Sequence, residues 1–498
     1  MARYVLANRR AGKFTAQAKI ASRFALTSAL QMVKNAKILA DRSPSDELAR
    51  RVVILDADPV EITAMRSSLP ADAILEPLIQ RKLHRRIPIG LRPIAPSAVR
   101  TGTPYRVTIQ ASSQPLSDIE VMIYVRDSGG QTRVSTITTD AEGRAGLTLP
   151  SGGTIAFVEP IPFAGFWIML AEAPPSGSTV NCTPIAKASA NGGGWWHDAM
   201  GIDLTDKTRG AGIKVGVIDT GCGPHPNLSQ VHLVGAFVDG EVLPPAQATD
   251  VAQHGTHTTG IIGARPNQAG DYAGMAPGCD LFHARVFKGE GENDGPTQAD
   301  IIHAIDALSR DNDCDLINMS LGGGPPSEAE EDAIRDAAER GTLCICSAGN
   351  DASAVEYPAA YPECSAISAI GQIGWAPPGT FSASNRPQQH DMLGLDNLFL
   401  AAFSCFGTNL ACAAPGVGIV STVPDRGTQK GLYMEMDGTS MASPAACGVL
   451  AVILSKDAAY LASPRDISRT TVARNLLAQH CKPIGLAVKY EGRGLPQV

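Results

Sequence analysis

Four short stretches carry side chains able to do acyl-transfer chemistry. Gly438-Thr439-Ser440-Met441-Ala442-Ser443-Pro444 stands just before the apolar run Ala445 to Leu454, which reads as a buried helix. A serine at a helix start is rigidly held and close to free N–H groups with partial positive charge, so it suits a nucleophile beside an oxyanion site. The bland alternative is a cap, with Thr439 or Ser440 as N-cap. A serine nucleophile needs a base and an acid to orient it. His254 opens His254-Gly255-Thr256-His257 at a predicted helix start, where glycine permits close approach. Asp219 ends the apolar strand Val215-Gly216-Val217-Ile218, where a carboxylate can hold an imidazole in one tautomer. Asn350 ends Ser347-Ala348-Gly349-Asn350, and its amide can donate to an oxyanion. Taken singly, Asp219 could be a turn residue, His254 a helix cap and Asn350 a left-handed turn former. Jointly, four such groups at strand and helix ends of one α/β region are hard to explain otherwise. His254 and His257 do not make a zinc pair of the HExxH kind, because Gly255 stands where that motif needs its glutamate.

The elements that must position these groups run from Trp195 to the end of the chain. Ile213 to Ile218, Leu281 to Phe287, Leu316-Ile317-Asn318-Met319 and Thr342 to Ser347 read as buried strands. Helices are expected from Thr297 and from Ser327 to Arg340, the latter with Ser327 as N-cap, Glu330 at N3 and Gly341 at its end. Alternating strands and helices imply a mostly parallel sheet with helices on both faces, and such sheets gather active groups at the carboxyl ends of their strands.

Two further units precede it. Residues 1–83 read as strand, helix, strand, strand, helix, strand, the ferredoxin-like α+β order. Its second helix has a clear start: Asp58 as N-cap, Pro59 at N1 and Glu61 at N3. Arg85 to Pro93 is basic and suits a linker. Residues 94–173 hold short strand-like runs at 105–109, 120–125, 133–138, 146–149 and 166–170, with turns at Gly129-Gly130 and Asp140 to Gly143, as in a small β-sandwich. Thr139 to Gly143 before a strand resembles carboxypeptidase-regulatory-like and related Ig-like modules. Residues 174–194, rich in Pro, Ser, Gly and Ala, read as a flexible, protease-sensitive linker.

The region 195–498 resembles the subtilisin-like serine proteases, the subtilases. The matching blocks are Val217 to Gly221, His254 to His257, Asn318 to Gly322, Ser347 to Asn350, Ala414-Pro415-Gly416 and Gly438 to Pro444, in the order Asp, His, Ser that the family uses. The resemblance implies an endopeptidase acting on protein or peptide substrates. Ser440 would be its nucleophile, His254 its general base and acid, Asp219 the orienting acid, and Asn350 with the Ser440 N–H the oxyanion hole. Ser320, Leu321 and Gly322 would pair with the substrate backbone, and Gly349, Asp351 and Glu356 would line the pocket for the residue before the scissile bond. Glu356, just before Tyr357-Pro358, would favour Lys or Arg there. The same resemblance makes residues 1–83 an inhibitor-like propeptide domain, an intramolecular inhibitor, with maturation expected between Pro174 and Gly194. Two features depart from the family: the intervening β module, and Cys222 to Asn227, which lacks acids that bind calcium in several members. No metal or cofactor is expected, and calcium is unsupported. The insertion 385–402 has no assigned role. The competing reading is a non-proteolytic binding protein or a permanently inhibited pseudo-protease.

Composition sets outer limits. The 498 residues are 44% hydrophobic and 18% charged with a formal net charge of -7, which suits a soluble multidomain protein and gives no sign of a nucleic-acid partner. No run of 18 apolar residues is present to span a membrane. The 11 cysteines are scattered without a C-x-x-C pair, which favours reduced thiols over a disulfide framework or a structural zinc. The basic N-terminus lacks a secretory apolar core, so the expected location is cytoplasmic, with secretion by an unrecognised route as the alternative.

Overall fold

The computed structural model describes the chain except residues 1, 11, 13–15, 32–34, 43–48, 84–91, 94–101, 190–191, 290, 292, 426 and 428–430. The N-terminal unit comprises β1 (Ala2–Asn8), α1 (Ala16–Gln31), β2 (Lys37–Arg42), β3 (Val52–Ala57), α2 (Pro59–Arg66) and β4 (Ala73–Pro77). Its antiparallel sheet has the order β2-β3-β1-β4, that of the ferredoxin-like fold. Asp58 caps α2 by accepting from the Val60 N–H at 2.8 Å. Strand alternation gives the sheet two buried faces. Leu6, Val53, Leu55 and Leu75 pack with Leu26, Ile62 and Met65 of the unit's own helices. Val5, Ala7, Val52, Ile54 and Ile74 join the core of the region beyond residue 195. After β4 the chain forms β5 (Lys82–Leu83). The linker expected at Arg85 to Pro93 falls outside the described residues except for Arg92 and Pro93.

The middle unit is a sandwich of two sheets. Strands β6 (Arg92–Pro93), β7 (Thr103–Ala111), β8 (Gln114–Pro115), β9 (Glu120–Arg126), β10 (Thr132–Thr138), β11 (Arg144–Leu149), β12 (Thr154–Ile161), β13 (Ala171–Glu172) and β14 (Ser178–Asn181) pair as β13-β12-β9-β10-β6 and β11-β7-β14, with β8 on β7. Three details correct the sequence reading. Thr154–Ile161 is a full strand although it contains Glu159 and Pro160; Glu159 is buried and accepts from the Tyr124 hydroxyl at 2.7 Å. Residues 166–170 are not a strand of the sandwich, because their backbone serves a joint: Trp167 N–H donates to the Thr183 carbonyl, Ile168 N–H to Glu435 and Leu170 N–H to the Gly379 carbonyl. The expected flexible linker 174–194 is largely tied down. Ser178–Asn181 lies parallel to β7, Ile185 N–H donates to Gly165 O, and Ala188 N–H donates to Gly270 O.

From Trp195 the chain forms α3 (Trp195–Ala199), β15 (Lys214–Asp219), β16 (His232–Val238), β17 (Glu241–Leu243), α4 (His254–Gly263), β18 (Asp280–Arg285), α5 (Gln298–Asp306), β19 (Leu316–Met319), β20 (Leu321–Gly322), α6 (Glu328–Glu339), β21 (Leu343–Ser347), β22 (Cys364–Gln372), α7 (Phe381–Ser384), β23 (Leu398–Leu400), β24 (Leu410–Pro415), β25 (Ile419–Thr422), β26 (Tyr433–Met436) and α8 (Thr439–Lys456). The main sheet runs β17-β16-β18-β15-β19-β21-β22-β23, with β24 also on β22; β17 and β23 are antiparallel and the rest parallel. The insertion 385–402 supplies the edge strand β23, with Leu398, Phe399 and Leu400 buried. Helix α8 is buried from Thr439 through Leu454 against this sheet, so its apolar length serves the core. Its N-cap is Gly438, not Thr439 or Ser440, which overturns the capping alternative for those two residues.

Candidate active site

The ends of β15, α4, β21 and α8 converge. Asp219 is the last residue of β15 and is fully buried. Its Oδ1 accepts from His254 Nδ1 at 2.7 Å and from the Thr220 N–H at 2.7 Å, and its Oδ2 accepts from the Thr258 hydroxyl at 3.1 Å. Burial pushes the Asp219 pKa up, but the charge and hydrogen bond of His254, the nearby His283 and the Thr220 N–H outweigh it, and the net value lies below the ordinary carboxylate value. His254 begins α4, and Gln253, the N-cap, takes the left-handed conformation with φ 64°. The first turn lies hard against the loop after β15: a Cβ on Gly255 would meet the Gly221 carbonyl oxygen at 2.1 Å, so only glycine fits.

A second ring of groups, which the sequence reading did not single out, fixes this turn. Thr220 Oγ1 accepts from the Gly255 N–H at 2.8 Å and donates to Asp250 Oδ1 at 2.8 Å. Asp250 Oδ2 accepts from the Thr256 N–H and hydroxyl. An acid four residues before His254 was the available signal, but nothing in the sequence shows that the loop folds back onto β15. His257 hydrogen-bonds through Nε2 with the Met434 carbonyl at 2.9 Å. Burial pulls its pKa down to about 3, so it is a neutral core histidine.

Ser440 is the second residue of α8 and is 1% exposed. Its hydroxyl donates to the Ser320 carbonyl at 3.4 Å, and Ser320 Oγ donates to the Ser440 carbonyl at 2.8 Å. The remaining ring nitrogen of His254, Nε2, is buried and has no hydrogen-bond partner among the described residues. Asn350 stands beside this helix start. A Cβ built on Gly438 would lie 3.2 Å from Asn350 Nδ2. Thr439 Oγ1 accepts from the Gly349 N–H at 3.1 Å and donates to Asn350 Oδ1 at 2.8 Å.

The residues expected to contact substrate divide by position. Leu321 and Gly322 form β20, and Ser320 precedes it. On β20 lies β5, antiparallel, with Leu83 opposite Leu321 and Lys82 opposite Gly322. Glu356 is half-buried between the two strand ends. A Cβ on Gly349 would meet its Cγ and Cδ at 3.0 Å, and one on Gly323 would lie 3.8 Å from its Oε2. The Gly323 N–H donates to the Tyr357 carbonyl at 3.0 Å, which ties the residue after β20 to the segment carrying Glu356. Asp351 is exposed on the loop that follows Asn350.

Comparison with known proteins gives one answer. The family model described as the subtilase family (Peptidase S8) matches residues 210–481. Subtilisin DY of Bacillus licheniformis is 33% identical over 296 residues, 58% of this chain and 90% of that protein. An intracellular serine protease of Paenibacillus polymyxa is 33% identical over 301 residues, 58% of this chain and 80% of that protein. Among solved structures, fervidolysin of Fervidobacterium pennivorans, described as a keratinolytic enzyme related to subtilisin, aligns with 100% of this chain at a TM-score of 0.62 and 20% identity. The chain spans 60% of that structure's length, and the likeness is one of fold.

Proposed function

This chain belongs to the subtilase family of serine endopeptidases, and we propose that it cleaves protein or peptide substrates with Ser440 as nucleophile, His254 as base and then acid, and Asp219 as the group that orients the imidazole. The observation that carries the assignment is the 2.7 Å bond from His254 Nδ1 to Asp219, which commits Nδ1 and leaves Nε2 as the proton acceptor. Ser440 Oγ adds to the scissile carbonyl carbon as its proton passes to Nε2, and Asp219 stabilises the imidazolium without taking the proton. The imidazolium protonates the leaving amine as the C–N bond breaks. Water, deprotonated by the same nitrogen, then frees the acyl group from Ser440. The Ser440 N–H and Asn350 Nδ2 receive the oxyanion; Thr439 engages Asn350 Oδ1 and so turns Nδ2 towards that role. A fluorophosphonate probe tests the assignment. A time-dependent adduct on Ser440, found by peptide mass spectrometry, supports it, and labelling that persists in Ser440→Ala protein counts against it.

The N-terminal unit is proposed to inhibit the site within the same chain. Support comes from β5, which takes the backbone position on β20 that a substrate strand would use. It also comes from how the unit is anchored. Glu76 accepts from the Ser327 hydroxyl and from the N–H groups of Glu328 and Ala329, so it caps α6 from outside. Arg50, fully buried, pairs with Asp306, Asp332 and Asp336. Release of this unit is assigned to cleavage between Leu83 and the sandwich. The described residues of 174–194, the stretch expected from sequence, are held in strand and backbone hydrogen bonds that a protease would have to undo.

A preference for Lys or Arg before the scissile bond is proposed for the slot that holds Glu356. A carboxylate between the backbones of Gly323 and Gly349 is poorly matched to an apolar side chain. A reducing, cytoplasmic setting is proposed from the cysteines: all 11 are unpaired and 10 are buried. Protein denatured and alkylated at the moment of cell lysis should yield 11 modified thiols; fewer would argue for an oxidising compartment.

A further inference from the structure

The segment that lies on β20 also fills a pocket that neither the family match nor the catalytic residues require. The Arg81 side chain is fully buried, and its five N–H groups are spread over five acceptors. Nε donates to Glu330 Oε1 at 3.2 Å, and Nη2 donates to Glu330 Oε2 and, at 3.4 Å, to the Tyr361 hydroxyl. Nη1 donates to the carbonyls of Gly323 at 2.5 Å and Pro325 at 2.8 Å. Glu330 is itself fully buried and stands in the first turn of α6, where the helix dipole favours a carboxylate. Tyr361 donates to the Ser327 carbonyl at 2.9 Å and lies 3.1 Å from Glu330 Oε2, which fixes the acid in place. A bidentate fork on a carboxylate, with two carbonyls at the far nitrogen, fits guanidinium and not ammonium.

The backbone around Arg81 is bound as a substrate strand would be. Its N–H donates to the Pro296 carbonyl at 2.8 Å, Gln80 bridges antiparallel to Thr297, and on the other side Lys82 and Leu83 pair with β20. A Cβ on Gly295 would meet the Arg81 carbonyl oxygen at 2.0 Å, so that wall is glycine to admit a main chain. The register fixes the substrate position. A bound strand runs antiparallel to β20, so the residue after the one opposite Leu321 comes opposite Ser320, whose carbonyl accepts the Ser440 hydroxyl. That residue precedes the scissile bond. Counting back, the side chain in the Glu330 pocket belongs to the fourth residue before that bond.

We infer that Glu330, Tyr361 and the carbonyls of Gly323 and Pro325 form a subsite that selects arginine at the fourth residue before the scissile bond of protein substrates. The inference rests on the protease reading above. Once residues 1–83 leave, Glu330 loses the charge of Arg81, and a substrate arginine restores all five contacts, whereas leucine or alanine leaves a desolvated carboxylate behind. Glu356 serves the residue next to the bond, so the two acids read different positions.

The test is a fluorogenic peptide set with Arg, Lys, Leu or Ala at the fourth position, made in two series with Lys or Leu before the scissile bond. Ser440→Ala protein sets the background. In whichever series is cleaved, Arg should exceed Leu and Ala in kcat/KM by about tenfold or more, with Lys between, the scale of a buried charged pair. Glu330→Gln should collapse the Arg-to-Leu ratio towards one, and Tyr361→Phe should lower it by a smaller factor. The wild-type ratio decides the matter even if the Glu330 variant does not fold. Cleavage with no preference for Arg overturns the subsite and leaves the protease reading standing. No cleavage of any peptide sinks that reading, and the subsite with it.

Discussion

Asn350 Oδ1 accepts two hydrogen bonds from Thr439, one from its N–H at 3.0 Å and one from its hydroxyl at 2.8 Å. The pair joins the end of one core strand to the start of α8, and it orients the amide that would face the oxyanion. Thr439→Val keeps the shape and the N–H bond but removes the hydroxyl. It should lower kcat about tenfold with KM little changed, and Thr439→Ser should restore most of the loss. Asn350→Ala should cost roughly 100- to 1000-fold in kcat, the scale of one oxyanion donor. An unchanged kcat in Thr439→Val would remove Thr439 from this positioning role.

Ser440→Ala should abolish peptide hydrolysis while the fold persists, and His254→Ala should be about as severe, since nucleophile and base act as one unit. Steady-state rates with circular dichroism of each variant make the comparison. Wild-type turnover by purified Ser440→Ala protein would refute the nucleophile.

Loosening the N-terminal unit should raise activity. Glu76→Ala removes the outside cap of α6, and Arg50→Met strips the cation from three carboxylates at that interface, a change on the order of 3 kcal/mol for a broken buried pair. Freshly purified full-length variants should hydrolyse peptide faster than wild type before any processing. N-terminal sequencing of the processed form should find a first residue between positions 84 and 101. Equal initial rates would remove the inhibitory role, and a first residue between 175 and 195 would restore the original linker as the processing site.

Wild-type protein should prefer Lys or Arg over Phe or Leu immediately before the scissile bond, and Glu356→Gln should erase much of that preference. Matched fluorogenic peptides read the two ratios. A preference for Phe or Leu in both proteins would take Glu356 out of the pocket.

Stability should fall as the pH drops below the ordinary histidine range. Burial pulls His197 and His257 down to about 3 and His225 and His283 to about 4. The unfolded chain protonates these rings near pH 6.5, the folded one only near 3 to 4, so U binds more protons between those limits and stability rises with pH across that window. Each ring contributes at most about 1.4 kcal/mol per pH unit there. Thermal unfolding of Ser440→Ala protein should show a lower Tm at pH 5 than at pH 7, and His257→Gln should flatten the dependence. An unchanged pH dependence in the His257→Gln protein would contradict the burial argument for that ring.

Local chemistry and periodicity already determined much of this protein. Apolar runs flanked by caps and glycines placed β15, β19, β21, α5 and α6, because such signals sit within a few residues of the elements they start and stop. The ferredoxin-like order of the first unit was legible for the same reason, down to Asp58 and Pro59 at the start of α2. The blocks around Asp219, His254, Asn350 and Ser440 named the groups with chemical capacity. Only the tertiary structure decided what these groups meet. Asp250 became a support for His254 because a loop folds back onto β15, and Thr439 became the partner of Asn350 because α8 docks against the end of β21. Thr154–Ile161 is a strand because Glu159 finds Tyr124 across the sheet, and 166–170 is not one because its N–H groups are used between domains. The Arg81 pocket is assembled from residues more than 240 positions away in the chain, at a junction of two units. No local pattern encodes such a meeting; it exists only when the first unit's unoccupied sheet face packs on α5 and α6 and carries the strand that follows onto β20.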